Sequence, residues 1–270
     1  MSEAGILLEI RQQIAVVTIK REDKRNAFSE QMWSDLERIT IELSKDTPRA
    51  IVLTGAGAEA FSAGFDISPD NPQVATLTEA IQQKRREPVA VFLNNIRRVI
   101  DGFLALPVPV IAAINGLAYG GGAELAVRCD LRVVDPKAVI CFSEVRLGLM
   151  PDLGGGVALT RLIGSSRASD LILTAREVRP DEALELGMVN RISEPGQVLP
   201  ASLALAESIA ENGPRATRCA LEIIRRTQDM PAEEALELEK ERAIDLITSG
   251  ECYYGISAFM TKTEPIFPDI

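Results

Sequence analysis

Asn115-Gly116-Leu117-Ala118-Tyr119-Gly120-Gly121-Gly122-Ala123-Glu124 sets three consecutive glycines between an apolar run and a helix-forming one. The run before it, Pro109-Val110-Ile111-Ala112-Ala113-Ile114, is bounded by prolines and has the length of one buried strand. The run after it, Ala123-Glu124-Leu125-Ala126-Val127, favours a helix. Strand, glycine turn and helix N-terminus in that order aim unpaired backbone N–H groups at one point. Glu124 sits beside that point. Donors for a developing oxyanion next to a proton-carrying carboxyl are the parts that carbonyl chemistry requires. A plain packing turn is the competing use of the glycines. A membrane helix over residues 107–127 is opposed by Pro109, Asn115, four glycines and Glu124.

Working outward, Ala50-Ile51-Val52-Leu53-Thr54 reads as a second buried strand, followed by Phe61-Ser62-Ala63-Gly64-Phe65-Asp66. Short apolar runs at Ile6–Ile10, Ile14–Ile19, Val108–Ile114, Leu131–Val134 and Val139–Phe142 alternate with helical stretches up to about residue 165, a pattern of the α/β class. Beyond it, apolar residues recur at helical spacing in Arg167–Thr174, Pro180–Leu186, Leu199–Glu211, Pro214–Thr227, Ala232–Thr248 and Cys252–Lys262. Ser68–Glu87, broken by Pro69 and Pro72, reads as a mobile polar surface loop with one short helix. Gly55-Ala56-Gly57-Ala58-Glu59-Ala60 fits a loose dinucleotide pattern. A true dinucleotide turn opens directly into a helix; here Phe61-Ser62-Ala63-Gly64 follows, and nicotinamide or flavin binding is not expected.

The 270 residues are 46% apolar and 25% charged, enough for one large domain with a helical extension. The formal charge of −10 disfavours nucleic acid as a partner. No basic leader with an apolar core opens the chain, and Cys129, Cys141, Cys219 and Cys252 lack metal or redox spacing, so a cytoplasmic protein without a membrane partner or a metal is expected. Histidine is absent. That removes Ser-His and Cys-His mechanisms and leaves acid–base work chiefly to carboxyls.

Phe-Ser-Ala-Gly-x-Asp at 61–66, Pro-Val-Ile-Ala-Ala-x-Asn-Gly-x-Ala-x-Gly-Gly-Gly-x-Glu-Leu-Ala at 109–126, and Cys129-Asp130 belong to one series of motifs. Leu147-Gly148-Leu149-x-Pro151-Asp152-x-Gly154-Gly155, Ala258-Phe259-x-x-Lys262 and Pro265-x-Phe267 continue it. In that order and over nearly the whole chain, they resemble the crotonase (enoyl-CoA hydratase/isomerase) superfamily. The resemblance implies a ββα spiral core, residues 1–195, carrying an acyl-CoA site, then a helical oligomerisation region, residues 196–270. A homotrimer or dimer of trimers is implied as well. The substrate implied is an acyl-CoA thioester; coenzyme A arrives as part of it and no separate cofactor is expected.

By the same resemblance, the backbone N–H groups of Ala63 and Gly121 form the oxyanion hole that holds the thioester as its enolate. Glu124 matches the first of two glutamates that activate water in the hydratases of the superfamily. The second, counted four residues on from Phe142, falls on Arg146, and arginine does not serve as a general base. Asp152 is then the candidate second proton carrier, and double-bond isomerisation is slightly preferred over hydration. For Asp152 the competing use is a helix N-cap; for Glu124 it is a helix-dipole contact. Arg146 either pairs with Glu124, Glu144 or Asp152, or touches the acyl group. Lys24, Arg25, Ala27, Asp66 and Ile67 are candidates for coenzyme A contacts, with Phe259 and Lys262 supplied by a neighbouring subunit. A catalytically silent acyl-CoA-binding protein is the alternative outside the enzymes.

Overall fold

The computed structural model describes residues 4–268. The chain opens with an antiparallel hairpin of β1 (Gly5–Arg11) and β2 (Ile14–Lys20), then α1 (Glu30–Lys45). Three turns of one kind follow. In the first, β3 (Ala50–Gly55) leads to β4 (Ala60–Ser62), then α2 (Pro72–Gln82) and α3 (Arg86–Leu104). In the second, β5 (Val110–Ile114) leads to β6 (Leu117–Tyr119) and α4 (Gly121–Arg128). In the third, β7 (Leu131–Val134) and β8 (Val139–Cys141) are followed by a 3-10 turn at Glu144–Leu147, α5 (Gly155–Ile163), α6 (Ser165–Thr174), α7 (Pro180–Glu185) and β9 (Arg191–Ile192). The chain ends in α8 (Val198–Ala210), α9 (Pro214–Arg226), α10 (Ala232–Thr248) and α11 (Glu251–Thr261).

Each turn of the spiral gives one strand to each of two sheets. The larger has the order β1-β2-β3-β5-β7-β9 and is parallel from β2 onward; the smaller, β4-β6-β8, is wholly parallel. All residues of β3 and β5 are buried, as uninterrupted apolar runs in the middle of a parallel sheet must be. At the edge, β1 leaves Leu7, Glu9, Ile10 and Arg11 exposed or half-buried.

Short polar clips hold the corners where the chain passes from one sheet to the other. The Asn115 amide donates to the carbonyls of Gly55 and Gly57, both at 2.9 Å, and its oxygen accepts from Gly55 N–H. Asn26 donates to Ala56 and Ala60 carbonyls and accepts from Arg21 N–H. Both side chains are buried and fully occupied by backbone, each bond worth about 1 kcal/mol net. At the far end of α4, the buried Arg132 guanidinium donates to the carbonyls of Cys129 and Met188, among others, closing a helix C-terminus that has no water to satisfy it.

One core lies between the two sheets and beneath α1 and α3, with Phe61, Phe103 and Phe142 at full burial. A second lies on the opposite face of the larger sheet. There Val198, Leu205 and Ala206 of α8 cover Val52, Ile111, Ala113 and Val133. Of the residues after 195, α8 therefore belongs to the packing of the sheet. Farther on, Arg225 of α9 pairs with Asp130 at 2.6 Å and donates to the Leu106 carbonyl, while Glu251 of α11 accepts the Arg215 and Ala216 N–H groups at the start of α9. No residue of α10 is buried, and Tyr253, Phe259 and Met260 of α11 stand exposed.

The sequence-based strands and late helices match these elements to within a few residues. Ser68–Glu87 differs. It holds the eleven-residue α2, started by Asn71, whose side chain accepts from Gln73 N–H, and by Pro72 at the first helical position. The one short helix expected there is α2, and it takes up most of what was read as loop.

Candidate active site

The site forms where β4 runs out beside the start of α4. Beyond Ser62, the backbone at Phe65 bridges Phe28 in parallel fashion: Phe28 N–H donates to the Gly64 carbonyl at 2.8 Å and Asp66 N–H to the Phe28 carbonyl at 3.1 Å. In such a bridge the central residue turns its own N–H away from the partner strand. Phe65 N–H has no hydrogen-bond partner among the described residues. Neither does Gly121 N–H, at the first position of α4, where no intrahelical partner exists. The two segments touch. A Cβ on Gly64, whose φ is +89°, would stand 2.8 Å from Gly121 N, and one on Gly121 would stand 3.7 Å from Phe65 N. Gly122 admits the helix to this depth, since a Cβ there would meet the Ser62 carbonyl oxygen at 2.1 Å.

This arrangement corrects one assignment. Ala63 N–H is already spent on the Arg25 carbonyl, at 2.9 Å, and cannot receive a ligand without breaking that bond. The free pair of amides is Phe65 with Gly121. Regular extended backbone would turn the N–H groups of residues 63 and 65 the same way; Gly64, at φ +89°, breaks that regularity between them, and residue order alone does not reveal which amide stays free.

Glu124, 1% exposed, projects from α4 toward the N-terminus of α5. Its Oε1 accepts from Asp152 N–H at 3.2 Å, and its Oε2 from Leu153 N–H at 2.9 Å and Gly155 N–H at 2.8 Å. The helix-dipole role weighed for Glu124 is thus present in the fold. Asp152 is not the N-cap: that position is Gly154, and Glu124 supplies the acceptor from across the site. Instead Asp152 is half-buried on the wall of the cavity.

The second glutamate is Glu144. The chain turns into its 3-10 segment directly after Ser143, so Glu144, 8% exposed, faces the cavity. Both of its carboxyl oxygens are buried and take no N–H donor; the Glu124 carboxyl lies beside them. Arg146, two residues on, lies exposed, does not line the cavity, and makes no ion pair among the described residues. Counting forward from Phe142 overshot by two residues because the turn begins earlier. The objection to hydration drawn from Arg146 falls with it.

Three carboxyls thus meet at one end of a cavity with mainly apolar walls. Burial pushes Glu124 up to about 8; the Gly155 N–H opposes this, and the Glu144 and Asp152 carboxylates add to it. Glu144 is also raised, by burial first; its own backbone N–H and the Glu124 carboxyl oppose this, and Asp152 adds to it. Burial raises Asp152 too, moderated by its backbone contacts and by Arg97. Close carboxyls that cannot all ionise retain a proton near neutrality, and the cluster then offers a base and an acid together. Beside them, Tyr119 is pushed up to about 12 by burial and its hydrogen bond to Glu177, which leaves its hydroxyl protonated.

The cavity above these groups measures about 640 Å³. Val74, Leu77, Thr78 and Ile81 of α2 face it, and so do Val89, Phe92, Leu93 and Ile96 of α3. Each set has the i, i+3, i+4, i+7 spacing of one helical face. The remaining candidates divide. Arg25 and Ile67 line the cavity; Lys24 does not. Ala27 lies outside it with its N–H on the Lys24 carbonyl and its own carbonyl taken by Arg21. Asp66 also lies outside, its N–H on Phe28, its carbonyl on Asn71 and its carboxylate on Arg21 at 2.6 Å. Buried backbone groups already paired in this way are poor coenzyme A contacts. Phe259 and Lys262, at the end of α11, do not reach the cavity of their own chain.

The family model described as enoyl-CoA hydratase/isomerase matches residues 9–269. A short-chain-enoyl-CoA hydratase of Clostridium acetobutylicum is 33% identical, over 96% of this chain and 95% of its own. A crotonyl-CoA hydratase of Syntrophomonas wolfei is 30% identical over 99% of each. Among solved structures, an enoyl-CoA hydratase from Bacillus anthracis superposes with a TM-score of 0.87 at 32% identity, covering 97% of this chain and 98% of that one.

Proposed function

The chain belongs to the enoyl-CoA hydratase/isomerase family, an enzyme family, and from that membership we propose that it adds water reversibly across the double bond of a 2-enoyl-CoA. The observation that carries this reading is the pairing of Glu124 with Glu144, whose free carboxyl oxygens face the cavity beside the unpaired Phe65 and Gly121 amides.

In this mechanism the thioester oxygen accepts from Phe65 and Gly121 N–H. Those donors are backbone, preorganised, and strengthen as the oxygen gains charge. A substrate water lies between the Glu124 and Glu144 carboxyls. Its oxygen bonds to C3 while one proton passes to the ionised carboxyl. The electrons of the double bond move onto the thioester as an enolate, and the protonated carboxyl delivers a proton to C2. One O–H bond and the π bond between C2 and C3 break, while one C–O and one C–H bond form. Overall, water is the only reagent consumed.

A second reading, isomerisation of a 3-enoyl-CoA, rests on Asp152, whose raised carboxyl shares the cavity. Both reactions use the same hole, and both argue against a silent carrier. Glu144→Gln and Asp152→Asn, assayed with crotonyl-CoA and 3-enoyl-CoA by absorbance and mass, separate them. Hydration is expected to fall by about 10³-fold or more in Glu144→Gln and to survive in Asp152→Asn. Hydration that persists without the Glu144 carboxyl would overturn this reading, and double-bond migration lost with Asp152 would favour the second.

The rest of the machinery belongs to the same proposal. Arg25 and Ile67 flank the entry of the pantetheine arm, with Lys24 close in sequence for phosphate. Phe259 and Lys262 of a neighbouring subunit complete the mouth. Coenzyme A comes and goes with the substrate, no other cofactor takes part, and the four unpaired thiols suit a cytoplasmic setting. No helix among the described residues is long and apolar enough to cross a membrane.

A further inference from the structure

The cavity is larger than a short acyl group needs, and its far walls are two facing helical stripes rather than a closed core. Resting on the acyl-CoA reading above, we infer that the substrate's acyl group is a long aliphatic chain, about ten carbons or more, laid between α2 and α3.

Size comes first. If a methylene takes roughly the ~30 Å³ of a liquid water, a four-carbon acyl group fills about a fifth of the 640 Å³. A twelve-carbon chain fills about half, which leaves room for the thioester and the pantetheine arm.

Shape agrees. Each stripe runs about 10 Å along its helix, a length for an extended chain rather than a compact ring.

Chemistry narrows it further. Seven of the eight stripe residues are apolar and the other is Thr78. The cationic lining residue, Arg25, stands on an exposed loop, whereas Glu124, Glu144 and Asp152 gather at the reacting end. A carboxylated or phosphorylated acyl group would meet no buried countercharge, and repulsion from the acids.

The free protein also leaves this surface unfinished. α2 buries a single residue, Ala80, and Ile81 is 69% exposed on the cavity side. An aliphatic chain would supply the apolar contacts that α2 lacks.

The test is kcat/KM for 2-enoyl-CoAs of four, eight and twelve carbons with the wild type and Leu77→Trp. Transfer of one methylene from water is worth up to about fourfold, so the twelve-carbon substrate should exceed the four-carbon one by 10²-fold or more. Leu77→Trp should lower the twelve-carbon value at least tenfold more than the four-carbon value. A wild type that prefers four carbons, or shows no preference, overturns the inference. Thermal shift of the wild type with saturated acyl-CoAs of the same lengths gives a readout independent of turnover. Stabilisation that grows with length supports the long chain even if no substrate is hydrated, a result that would sink the hydratase reading alone. A flat series overturns the long chain whatever the turnover.

Discussion

Glu124 and Glu144 share one site but not one circumstance. Glu124 is pinned by three backbone N–H groups of the α5 start, whereas Glu144 takes no N–H donor at either oxygen and has only the Glu124 carboxyl beside it. A carboxyl with nothing to hold it is free to bond water or substrate, and it pays in stability whenever it ionises. The sign follows from the raised pKa. Below about pH 4.5 both folded and unfolded chains hold these protons, and the folded state has its full advantage. As pH rises from there, the unfolded chain releases them while the folded chain resists, Glu124 up to about 8, so stability falls. Glu144→Gln should remove part of that decline. We expect its Tm to exceed that of the wild type by about 2–4 °C at pH 8.5, what ~1 kcal/mol is worth in a domain of this class, with the gap closing toward pH 5. Calorimetry across that range checks it; a variant less stable at pH 8.5 would mean that Glu144 is paired in solution.

Between elements, what matters is the seam where the 63–65 segment meets α4. Gly64 is the contact point, since a Cβ there would press on Gly121 N at 2.8 Å in a backbone conformation that already disfavours a side chain. Gly64→Ala should therefore separate the Phe65 and Gly121 donors. The expected loss is about 10²-fold in kcat with the far-UV circular dichroism retained; kcat within threefold of wild type would show that these amides do not act together. The glycine pattern of this seam was legible in sequence. Which of its amides remain free was not, because Ala63 N–H is consumed by Arg25, thirty-eight positions earlier. At α2 a short helix was expected, and its stripe at 74, 77, 78 and 81 was present in the sequence; polar neighbours and bordering prolines hid its length and which side it turns to the cavity.

Over the molecule as a whole, the C-terminal helices carry apolar surface that none of the described residues covers. Ile244 and Ile247 of α10 and Phe259, 83% exposed, on α11 are examples. We expect this surface to be closed by copies of the chain, which also brings Phe259 and Lys262 toward a neighbour's cavity. Sedimentation should give a mass three or six times the 29.3 kDa of the chain. A monomer at micromolar concentration would leave Phe259 and Lys262 without a role at the site.

From the sequence alone came the α/β class and, with no histidine in the chain, the expectation that acid–base work falls chiefly to carboxyls. It also placed Gly121 and Glu124 at a strand–glycine–helix junction, because hydrophobic run length and glycine position are local properties that survive folding unchanged. Tertiary structure decided the rest: that Phe65 and not Ala63 keeps a free amide, that Glu144 and not Arg146 faces the cavity, and that α2 and α3 wall it. The physical reason is common to all three. A backbone donor is free, a carboxyl buried or a helical stripe exposed only in relation to a partner far away in sequence, and those relations exist once the spiral has closed.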